Sequence, residues 1–433
     1  DENFDTTDDD ILTADEIAEV TEIDVTDMGI TDLTGVEYFT VLNSLLCSRN
    51  SLTSLDVSKN PVLESLYCGT NFLTNLNVSK NTELKKLWCS DNQLTSLDVS
   101  GCTALESLDC FQNQLASLDV SRCTSLKLLD CSKNQLTSLD VSENKVLYNL
   151  TCGENQLTSL ELGENTVLYS LVCWYNQLTS LDVSGCTALE SLDCNNNQLI
   201  TLDLSKNTKL GYLDCGENQL TSIDISGCKV LKELYCSENK LTTLDLSNNT
   251  ALFAIVCSYN RLTSLDLSKN TKLLDLKSES NVYEIVLDGN TFDLSELPEG
   301  FDIRKAGTWI NAEVIGNTLT VFDTESDVTY TYDLGNGEIA KFEFTLRPVS
   351  GTASASLYGD ANCDGTVNLS DAILVMQALG NPDAYGVNGT EESHLTEQGE
   401  INADVNAPGS GLTNSDSLSI QKYLLKLISK LPE

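Results

Sequence analysis

The sequence predicts a solenoid of short parallel β-strands, followed by a small all-β domain and a C-terminal all-α module. Three observations support this order. A repeat of 21 residues fills more than half of the chain, β-branched and aromatic residues alternate after it, and two acidic loops near the C-terminus each lead into a helix. The predicted boundaries are a cap over 1–23, the solenoid over 24–282, the β domain over 283–349, a linker over 350–356 and the module over 357–433.

Each repeat is centred on a cysteine, which we number position 0. Asparagine stands at position 3 and leucine at position 5 in all eleven copies. The alternating Leu-x-Cys run predicts a short strand with two buried side chains, and stacked copies would form a parallel sheet with strands about 4.8 Å apart. The cysteines are Cys47, Cys68, Cys89, Cys110, Cys131, Cys152, Cys173, Cys194, Cys215, Cys236 and Cys257.

The repeat resembles the leucine-rich repeat, LxxLxLxxNxL, in its 21-residue bacterial form, with cysteine in place of the third leucine. A second short apolar half, LxxLDVSxN, replaces the usual helix. The copy from Leu105 to Val120 shows this pattern. The resemblance covers residues 24–282 and implies an α/β-type solenoid dominated by short parallel strands.

The polar positions of the repeat have structural interpretations. The asparagine at position 3 is predicted to form a ladder that satisfies backbone groups of the turn. Position 13 is asparagine or cysteine, as in Asn207 and Cys102, and indicates a second inward corner. Position 9 carries a row of mostly acidic residues such as Asp98, which either accept backbone N–H groups in Asx turns or hold a cation.

Most cysteines are predicted to be structural. Eleven of the 16 cysteines replace a buried leucine, so we interpret them as free, buried thiols. Stacked neighbours such as Cys102 and Cys123 would come close enough for a disulfide, but parallel side chains disfavour the bridge. The sequence contains no CxxC pair, which excludes zinc-ribbon and thioredoxin-like sites.

The charge of the chain excludes some partners. With 65 acidic and 25 basic residues, the formal net charge is -40. Phosphate groups need a positive surface, so we expect no nucleic-acid partner and no binding to anionic membranes. There is no apolar run long enough to span a bilayer, and the acidic first residues are typical of a mature exported protein. We therefore expect a secreted protein without membrane insertion.

The segment 283–349 is predicted to contain β-hairpins. Alternating residues run from Ala312 to Val321 around Gly316-Asn317, and from Val328 to Leu346 around Gly335-Asn336-Gly337. We expect this domain to cover the open end of the solenoid and to space it from the module that follows.

Residues 360–371 read DANCDGTVNLSD, in which oxygen-bearing residues alternate along a loop. Gly365 supplies the sharp turn, and the last carboxylate lies at the start of a helix predicted from Ser370 to Leu379. This spacing is typical of a calcium loop. The predicted ligands are Asp360, Asn362, Asp364, Thr366 through its carbonyl, Asn368 and Asp371.

A second loop–helix unit follows, with its helix predicted from Ser415 to Ile428. One residue is inserted in this loop, and Ala407-Pro408-Gly409-Ser410 replaces the expected third carboxylate and glycine, so Ser410 and the Gly411 carbonyl are substitute ligands. The predicted ligands are Asp404, Asn406, Ser410, Gly411, Thr413 and Asp416.

The two units, with SDAILVMQAL echoed by SDSLSIQKYLLKL, resemble a dockerin over residues 357–433. Dockerins attach exported proteins of fibre-degrading anaerobic bacteria to cohesins on a scaffold protein. The resemblance therefore implies two calcium ions, a cohesin partner and a cellulosomal or cell-surface location. It also implies a set of cohesin contacts, although these side chains would alternatively be solvated or cover the module's small core. The implied contacts are Leu369, Ser370, Met376, Gln377, Asn414, Ser415, Gln421 and Lys422.

A further calcium-like stretch opens the chain before a helix predicted over residues 14–20. Asp10 stands where glycine is expected, and no helix precedes the loop, so we interpret the stretch mainly as an acidic, EF-hand-like cap. A third calcium ion is the alternative. Its candidate ligands are Asp5, Thr7, Asp9, Ile11 and Glu16.

The outward positions of the sheet, one before and one after each cysteine, vary as a binding surface would. Aromatic rings beside carboxylates suit either a protein partner or a glycan. Alternatively, these are scattered surface aromatics without a function. The candidate surface contains Tyr67, Trp88, Asp109, Phe111, Asp130, Trp174, Asp193, Tyr212, Asp214 and Tyr235.

The only histidine, His394, lies in the C-terminal module, which excludes Ser-His and Cys-His catalysis from the solenoid. We therefore predict a noncatalytic, secreted recognition protein whose solenoid binds a protein or glycan and whose calcium-dependent dockerin tethers it to a cohesin. The alternatives are a polysaccharide-active enzyme with an unrecognised site and a cell-wall or host adhesin.

Overall fold

The computed structural model describes residues 13–335, 342–349, 361, 369–381, 385 and 395. Helix α1 (Ala14–Ile17) precedes the solenoid and ends earlier than the predicted residue 20. The Thr13 hydroxyl oxygen accepts the Glu16 N–H, and Glu16 Oε2 accepts the Thr13 N–H, which completes a capping box at the start of the helix. The helix is therefore a single turn, stabilised at its start by this pair of hydrogen bonds.

The repeats form one parallel sheet of 13 strands, ordered as in the sequence. Neighbouring strands pair one repeat apart, as Leu171 does with Leu192. The predicted solenoid is confirmed, and β7 and β9 below form a separate parallel pair. The strands are β1 (Glu22–Asp24), β2 (Ser44–Leu46), β3 (Ser65–Tyr67), β4 (Lys86–Trp88), β5 (Ser107–Asp109), β6 (Leu128–Asp130), β7 (Ser138–Asp140), β8 (Asn149–Thr151), β9 (Ser159–Glu161), β10 (Ser170–Val172), β11 (Ser191–Asp193), β12 (Tyr212–Asp214), β13 (Glu233–Tyr235), β14 (Ala254–Val256) and β15 (Asp275–Lys277).

The solenoid interior consists of leucine and cysteine columns. The central leucine of a strand and the cysteine that follows it are both buried, as Leu108 and Cys110 show. All cysteines of the repeats are free and buried, and burial raises the pKa of Cys47 to about 12 and that of Cys102 to about 11. Each thiol is therefore protonated at neutral pH and packs as a small apolar side chain.

We expect the fifteen described cysteines to resist labelling by a thiol reagent in the folded protein and to react after unfolding in guanidinium. Cys363 lies outside the described residues, so a Cys363→Ser variant serves as the control and should show no folded-state labelling. Reaction of any thiol in that folded variant would contradict the buried, reduced cysteine column.

The asparagine at position 3 forms the predicted ladder. Asn113 Oδ1 accepts the Leu94 N–H at 3.0 Å, and Asn113 Nδ2 donates to the carbonyls of Cys89 and Cys110 at 3.0 and 3.1 Å. The same pattern recurs from Asn71 onward in every copy. One side chain thus links two turns of backbone that the sheet itself leaves unpaired.

Position 13 needs only a donor. Asn207 Nδ2 donates to the Val183 and Cys186 carbonyls at 3.0 Å, whereas its Oδ1 has no hydrogen-bond partner among the described residues. Where cysteine replaces asparagine, the thiol takes over the donor role, as Cys102 Sγ does toward the Val78 carbonyl at 3.7 Å. This explains why a weak donor is accepted at this buried corner.

The acidic row at position 9 forms the predicted Asx turns. Asp98 Oδ1 accepts the Ser100 N–H at 2.9 Å, and Asp224 does the same with Ser226. Hydrogen bonds from Ser100 hold the pKa of Asp98 below its ordinary value. The same turn recurs along the row, as at Asp56, Asp119 and Asp140. Within the described ranges, no three Asp, Glu, His or Cys side chains are grouped as metal ligands.

The chain after the repeats forms antiparallel strands, which confirms both predicted hairpins. β19 pairs with β20 around Gly316, whose φ of +62° suits the turn, and β21 pairs with both β18 and β22. The strands are β16 (Val282–Val286), β17 (Thr291–Asp293), β18 (Ala306–Ile310), β19 (Ala312–Ile315), β20 (Thr318–Val321), β21 (Val328–Tyr332) and β22 (Phe342–Val349).

Strand β21 and its flanks contact the last repeats. The buried Tyr330 hydroxyl donates to the Thr263 carbonyl at 2.5 Å, and the Leu267 N–H donates to the Leu334 carbonyl at 2.8 Å. Lys305 Nζ lies 3.1 Å from Asp266 Oδ2. Backbone groups at the end of the solenoid are therefore satisfied by the β segment, as its predicted covering role requires.

Helix α2 (Leu369–Gly380) belongs to a separate compact unit. Its Asp371 is fully buried together with apolar residues such as Val375, while Met376 and Gln377 are exposed. In the described part of the chain, no helix is long and apolar enough to cross a bilayer.

Candidate recognition surface and metal-binding helix

The predicted surface residues lie on the outward face of the parallel sheet. Most of these residues are the last residue of a strand or stand directly after the cysteine that follows the strand. They are half-buried except for Trp88, which is 43% exposed. Tyr212 does not occupy the predicted position, because it begins β12 three residues before Cys215. It shares the outward face because it is two residues from Asp214.

The aromatic residues of this face contact one another. The Tyr67 and Trp88 rings meet edge to face with centroids 4.9 Å apart, and the Tyr212 and Tyr235 rings are 5.6 Å apart. Trp174 lies over a glycine of the preceding repeat, where any Cβ would come within 2.7 Å of the indole nitrogen. The small residue thus provides the space that the ring occupies.

Four carboxylates form two pairs on neighbouring strands. Asp109 of β5 is in register with Asp130 of β6, and Asp193 of β11 with Asp214 of β12. Burial raises the pKa of Asp109 and Asp193 above their ordinary value and that of Asp214 to about 6. Asn195 Nδ2 donates to both Asp193 and Asp214, at 2.7 and 3.4 Å.

Among the residues that the structure describes, no lysine or arginine forms an ion pair with these carboxylates. The ion pairs found there join other side chains. Two lysines lie on the same part of the sheet: Lys133 pairs with Glu154 at 3.5 Å and stands 5.3 Å from the centre of the Phe111 ring, and the exposed Lys86 begins β4 in register with Ser107. The outward face of the sheet therefore carries half-buried carboxylates together with the exposed Lys86.

A pocket of about 210 Å³ opens on this face at strands β4, β5, β6 and β8. Trp88 Nε1 donates to Ser107 Oγ across it at 3.1 Å, and Asn149 Oδ1 is shielded from solvent without a hydrogen-bond partner among the described residues. We call it the Trp88 pocket. It is lined chiefly by Trp88, Ser107, Asp109, Leu128, Asp130 and Asn149.

Leu128 is an exposed apolar side chain in the pocket lining, with 44% of its surface exposed. Outside the lining, the exposed Tyr148 and Tyr169 stack with ring centroids 5.1 Å apart. The sequence prediction missed Leu128 and Asn149. Both stand three residues before a cysteine, and their outward direction follows from the two-residue alternation of a strand.

Replacing Asp214 by asparagine should stabilise the folded protein by about 1 kcal/mol near pH 7.5, allowing for partial exposure to solvent. The folded-state pKa of about 6 lies above the ordinary value of 3.8, so ionisation costs folding free energy above that range and nothing below it. The gain should therefore disappear as the pH falls through this interval. Urea denaturation at both ends of the interval measures it.

Asp224→Asn is the matched control. Hydrogen bonds from Ser226 hold the pKa of Asp224 below its ordinary value, so this variant should lose stability at neutral pH. A gain from Asp214→Asn that persists at low pH would contradict the assigned cause.

Of the predicted metal ligands, the structure describes Asp371 and Glu16. Asp371 lies in the first turn of α2 with its side chain fully buried. Glu16 Oε2 accepts the Thr13 N–H at 2.9 Å within the capping box. The other predicted ligands lie outside the described residues: Asp5, Thr7, Asp9, Ile11, Asp360, Asn362, Asp364, Thr366, Asn368, Asp404, Asn406, Ser410, Gly411, Thr413 and Asp416.

The predicted cohesin contacts of the first unit lie on α2. Leu369 and Ser370 begin the helix, and Met376 and Gln377 are exposed along it. Asn414, Ser415, Gln421 and Lys422 lie outside the described residues.

Known proteins match the two parts of the chain separately. Residues 82–122 match the family of leucine-rich repeats (2 copies), and residues 358–425 match the family described as dockerin type I domain. A xylanase/beta-glucanase from Ruminococcus flavefaciens is 60% identical over 80 residues, which is 18% of this chain and 10% of the relative. The chain thus spans about a tenth of that curated relative.

Solved structures match the solenoid. The functional domain of InlJ from Listeria monocytogenes, which includes a cysteine ladder, is 30% identical with a TM-score of 0.55, covering 78% of this chain and 92% of that one. The internalin InlF from the same species is 26% identical with a TM-score of 0.56, covering 63% of this chain and 84% of that one.

Type I dockerin domains bind calcium. Together with the repeat sheet, these matches establish a leucine-rich repeat protein that carries a type I dockerin domain.

Proposed function

We propose that this chain is a secreted, noncatalytic recognition protein. Its dockerin anchors it to a cohesin of a cellulosomal scaffold, and its solenoid binds a protein or glycan ligand. The observation that carries the proposal is the combination, in one chain, of a type I dockerin domain with a repeat sheet whose outward face is rich in aromatic and carboxylate side chains. We retain the predicted limits 1–23, 24–282, 283–349 and 357–433 for its parts.

The dockerin is proposed to hold two calcium ions through the oxygen ligands of its two loops. The family match over residues 358–425 includes both loops. Asp371 supports the first site, because a fully buried carboxylate is favourable only when hydrogen bonds or a cation compensate its charge. Calcium fixes the loop that begins α2, and the exposed side of α2, with Met376 and Gln377, then meets the cohesin.

A polysaccharide-active enzyme is the rival function. The match to a xylanase/beta-glucanase favours this alternative, although the matched segment is only a tenth of that protein. Paired carboxylates such as Asp193 and Asp214 are also the groups that glycosidases use. In an acidic chain, however, carboxylate pairs arise by composition, and both residues here are engaged with Asn195 or a backbone N–H.

Cohesin-coated resin loaded with the full chain tests these functions together. Incubation with a secretome from a fibre-grown culture should retain a partner that resin carrying the cohesin alone does not retain. Incubation with xylan and β-glucan should release no reducing sugar. Release of sugar above that of the empty resin would overturn the noncatalytic role, and failure of the resin to hold the chain would overturn the anchoring role.

A further inference from the structure

Trp174 departs from the pattern of the repeat. It occupies position 1, directly after the cysteine, where Phe111 is the one other aromatic residue among the eleven copies. Every copy meets the same packing requirement at this position, so the solenoid itself does not need a tryptophan here. The remaining copies carry small or polar residues: Ser48, Gly69, Ser90, Ser132, Gly153, Asn195, Gly216, Ser237 and Ser258.

The Trp174 indole lies flat on the outward face of the sheet. A Cβ on Gly153, in the preceding repeat, would stand 2.7, 2.9 and 3.0 Å from Nε1, Cδ1 and Cε2 of the indole. Such similar distances to three adjacent atoms place Gly153 beneath the face of the five-membered ring, because an approach along the ring edge would bring one atom clearly closer. Gly153 is buried and Trp174 is half-buried. One face of the indole therefore covers the glycine, and the opposite face is turned outward.

Tyr175 adds a second ring to this surface. It is 51% exposed, and its ring lies at 83° to the Trp174 indole with centroids 5.2 Å apart. The two side chains thus combine a flat apolar surface with an upright one.

The strands next to the indole carry no charge on their outward side. The first acidic residues in register with this strip are Asp130 of β6 and Asp193 of β11. Lys133 and Glu154, which lie beside it, pair with each other at 3.5 Å. The strip is therefore neutral, and its outward residues are Asn149, Thr151, Ser170 and Val172.

Hydrogen-bond acceptors lie on the other side of the indole, in the following repeat. Asn195 occupies the same position as Trp174, and its Nδ2 donates to Asp193 Oδ1 at 2.7 Å and to Asp214 Oδ2 at 3.4 Å. These bonds fix the amide. Asn195 Oδ1 and Asp193 Oδ2 accept no hydrogen bond from the described residues. Two fixed oxygens thus remain for the donors of a ligand.

A neutral glycan fits these features. A pyranose ring with equatorial hydroxyls, as in β-1,4-linked glucose and xylose, has C–H groups on its faces and hydroxyls around its edge. It can therefore stack on an indole while its hydroxyls donate to oxygens at the side. The core of a protein interface needs several apolar anchors, whereas Val172 is the one aliphatic side chain among the outward residues of β8, β10 and β11. An anionic glycan would be repelled by Asp193 and Asp214.

We propose that Trp174 is the stacking platform of a binding site for a neutral β-1,4-linked glucan or xylan, whose hydroxyls donate to Asn195 Oδ1 and Asp193 Oδ2. Tyr175 borders the bound sugar chain on one side. The inference rests on the proposed recognition role and narrows the ligand of the solenoid to a glycan that is bound without being cleaved.

Calorimetric titration of the full chain in millimolar calcium tests the proposal. The probes are cellohexaose, xylohexaose and the anionic hexagalacturonate. At least one neutral probe should bind, which identifies the sugar, and the anionic probe should not. Trp174→Ala should weaken this binding about tenfold or more, whereas Trp174→Phe, which keeps a flat ring, should stay within about threefold of the wild type. Asn195→Ala removes an acceptor and should weaken binding about fivefold.

Gly153→Ala tests the platform separately from the ring itself. The added Cβ lifts the indole from its flat position, so binding should fall about fivefold although Trp174 is retained. The matched control is Phe72→Ala, which removes a 51% exposed ring outside the strands of the sheet and should leave binding unchanged. Far-UV circular dichroism checks that each variant is folded.

Three results would overturn the proposal: binding of neither neutral probe, hexagalacturonate binding as tight as that of the neutral probes, or equal losses in Trp174→Ala and Phe72→Ala. If neither sugar binds while the loaded cohesin resin retains a secreted protein, the glycan inference fails and the recognition role stands. Cohesin binding of the same samples is measured separately, and its loss would count against the anchoring role alone.

Discussion

Replacement of Asn155 by alanine should destabilise the solenoid by about 3–4 kcal/mol, since each buried group left unsatisfied costs about 1–3 kcal/mol. Asn155 Oδ1 accepts the Leu136 N–H at 3.0 Å, and its Nδ2 donates to the carbonyls of Cys131 and Cys152 at 3.0 and 3.2 Å. These backbone groups are buried, so water does not replace the lost side chain. Urea denaturation followed by far-UV circular dichroism measures the loss.

Gln156→Ala is the control for this change, because its side chain is exposed and adjacent in sequence. It should alter the unfolding free energy by less than about 0.5 kcal/mol. Asn155→Asp adds a sharper test. The carboxylate can still accept the Leu136 N–H, but it opposes the two carbonyls and should destabilise the protein at neutral pH. Equal midpoints for Asn155→Ala and Gln156→Ala would show that the ladder does not stabilise the repeats.

Replacement of Asp371 by alanine should weaken cohesin binding about a hundredfold or more, as loss of a calcium ligand and of the loop order it maintains would do. The Asp371 side chain is fully buried in the first turn of α2, so its removal also leaves a gap beneath the proposed binding side of the helix. Calorimetric titration against a panel of scaffold cohesins in excess calcium measures the effect.

The control for this variant is Asp275→Ala, which removes the same charge from an exposed position at the end of the solenoid sheet. It should bind cohesin as the wild type does. An Asp371→Ala variant that also matches the wild type would exclude this carboxylate as a calcium ligand required for binding.

The repeat made much of the fold predictable from the sequence. A fixed 21-residue period places strands β2 to β6, β8 and β10 to β15, the cysteine that follows each of the strands β2 to β14, and the ladder asparagines, because a single physical requirement recurs at each position. The period gave no warning of the short pair β7 and β9. The segments that form it, around Leu139 and Leu160, have the same sequence pattern as their neighbours. The same position forms only single parallel bridges elsewhere, between Asp56 and Asn77 and between Asp203 and Asp224.

The candidate surface was predictable only in part. Asp109, Asp130 and Trp88 were identifiable because they flank the cysteines that mark the repeat. Leu128 and Asn149 were missed, since the prediction considered only the residues next to each cysteine and these two stand three residues before one. These two residues matter because they line a pocket formed by side chains from four successive strands of the sheet. Whether neighbouring side chains leave such a pocket depends on how they pack, and the repeat spacing does not predict that.

The length of the first helix was not predictable from the sequence for a different reason. The acidic loop pattern predicted a helix to residue 20, yet α1 ends at Ile17. Glu16 is drawn back to Thr13 by the capping box, and the chain then extends toward β1 at Glu22 to join the sheet. Tertiary pairing with the first repeat therefore outweighs the local helical preference.

Calorimetric titration of the unmodified full chain with a cohesin, first in millimolar calcium and then in excess EDTA, tests the anchoring role most directly. We predict tight binding with calcium and none with EDTA, while the far-UV circular dichroism of the solenoid stays the same. Cohesin affinity that is unchanged in EDTA would contradict a calcium-dependent dockerin anchor.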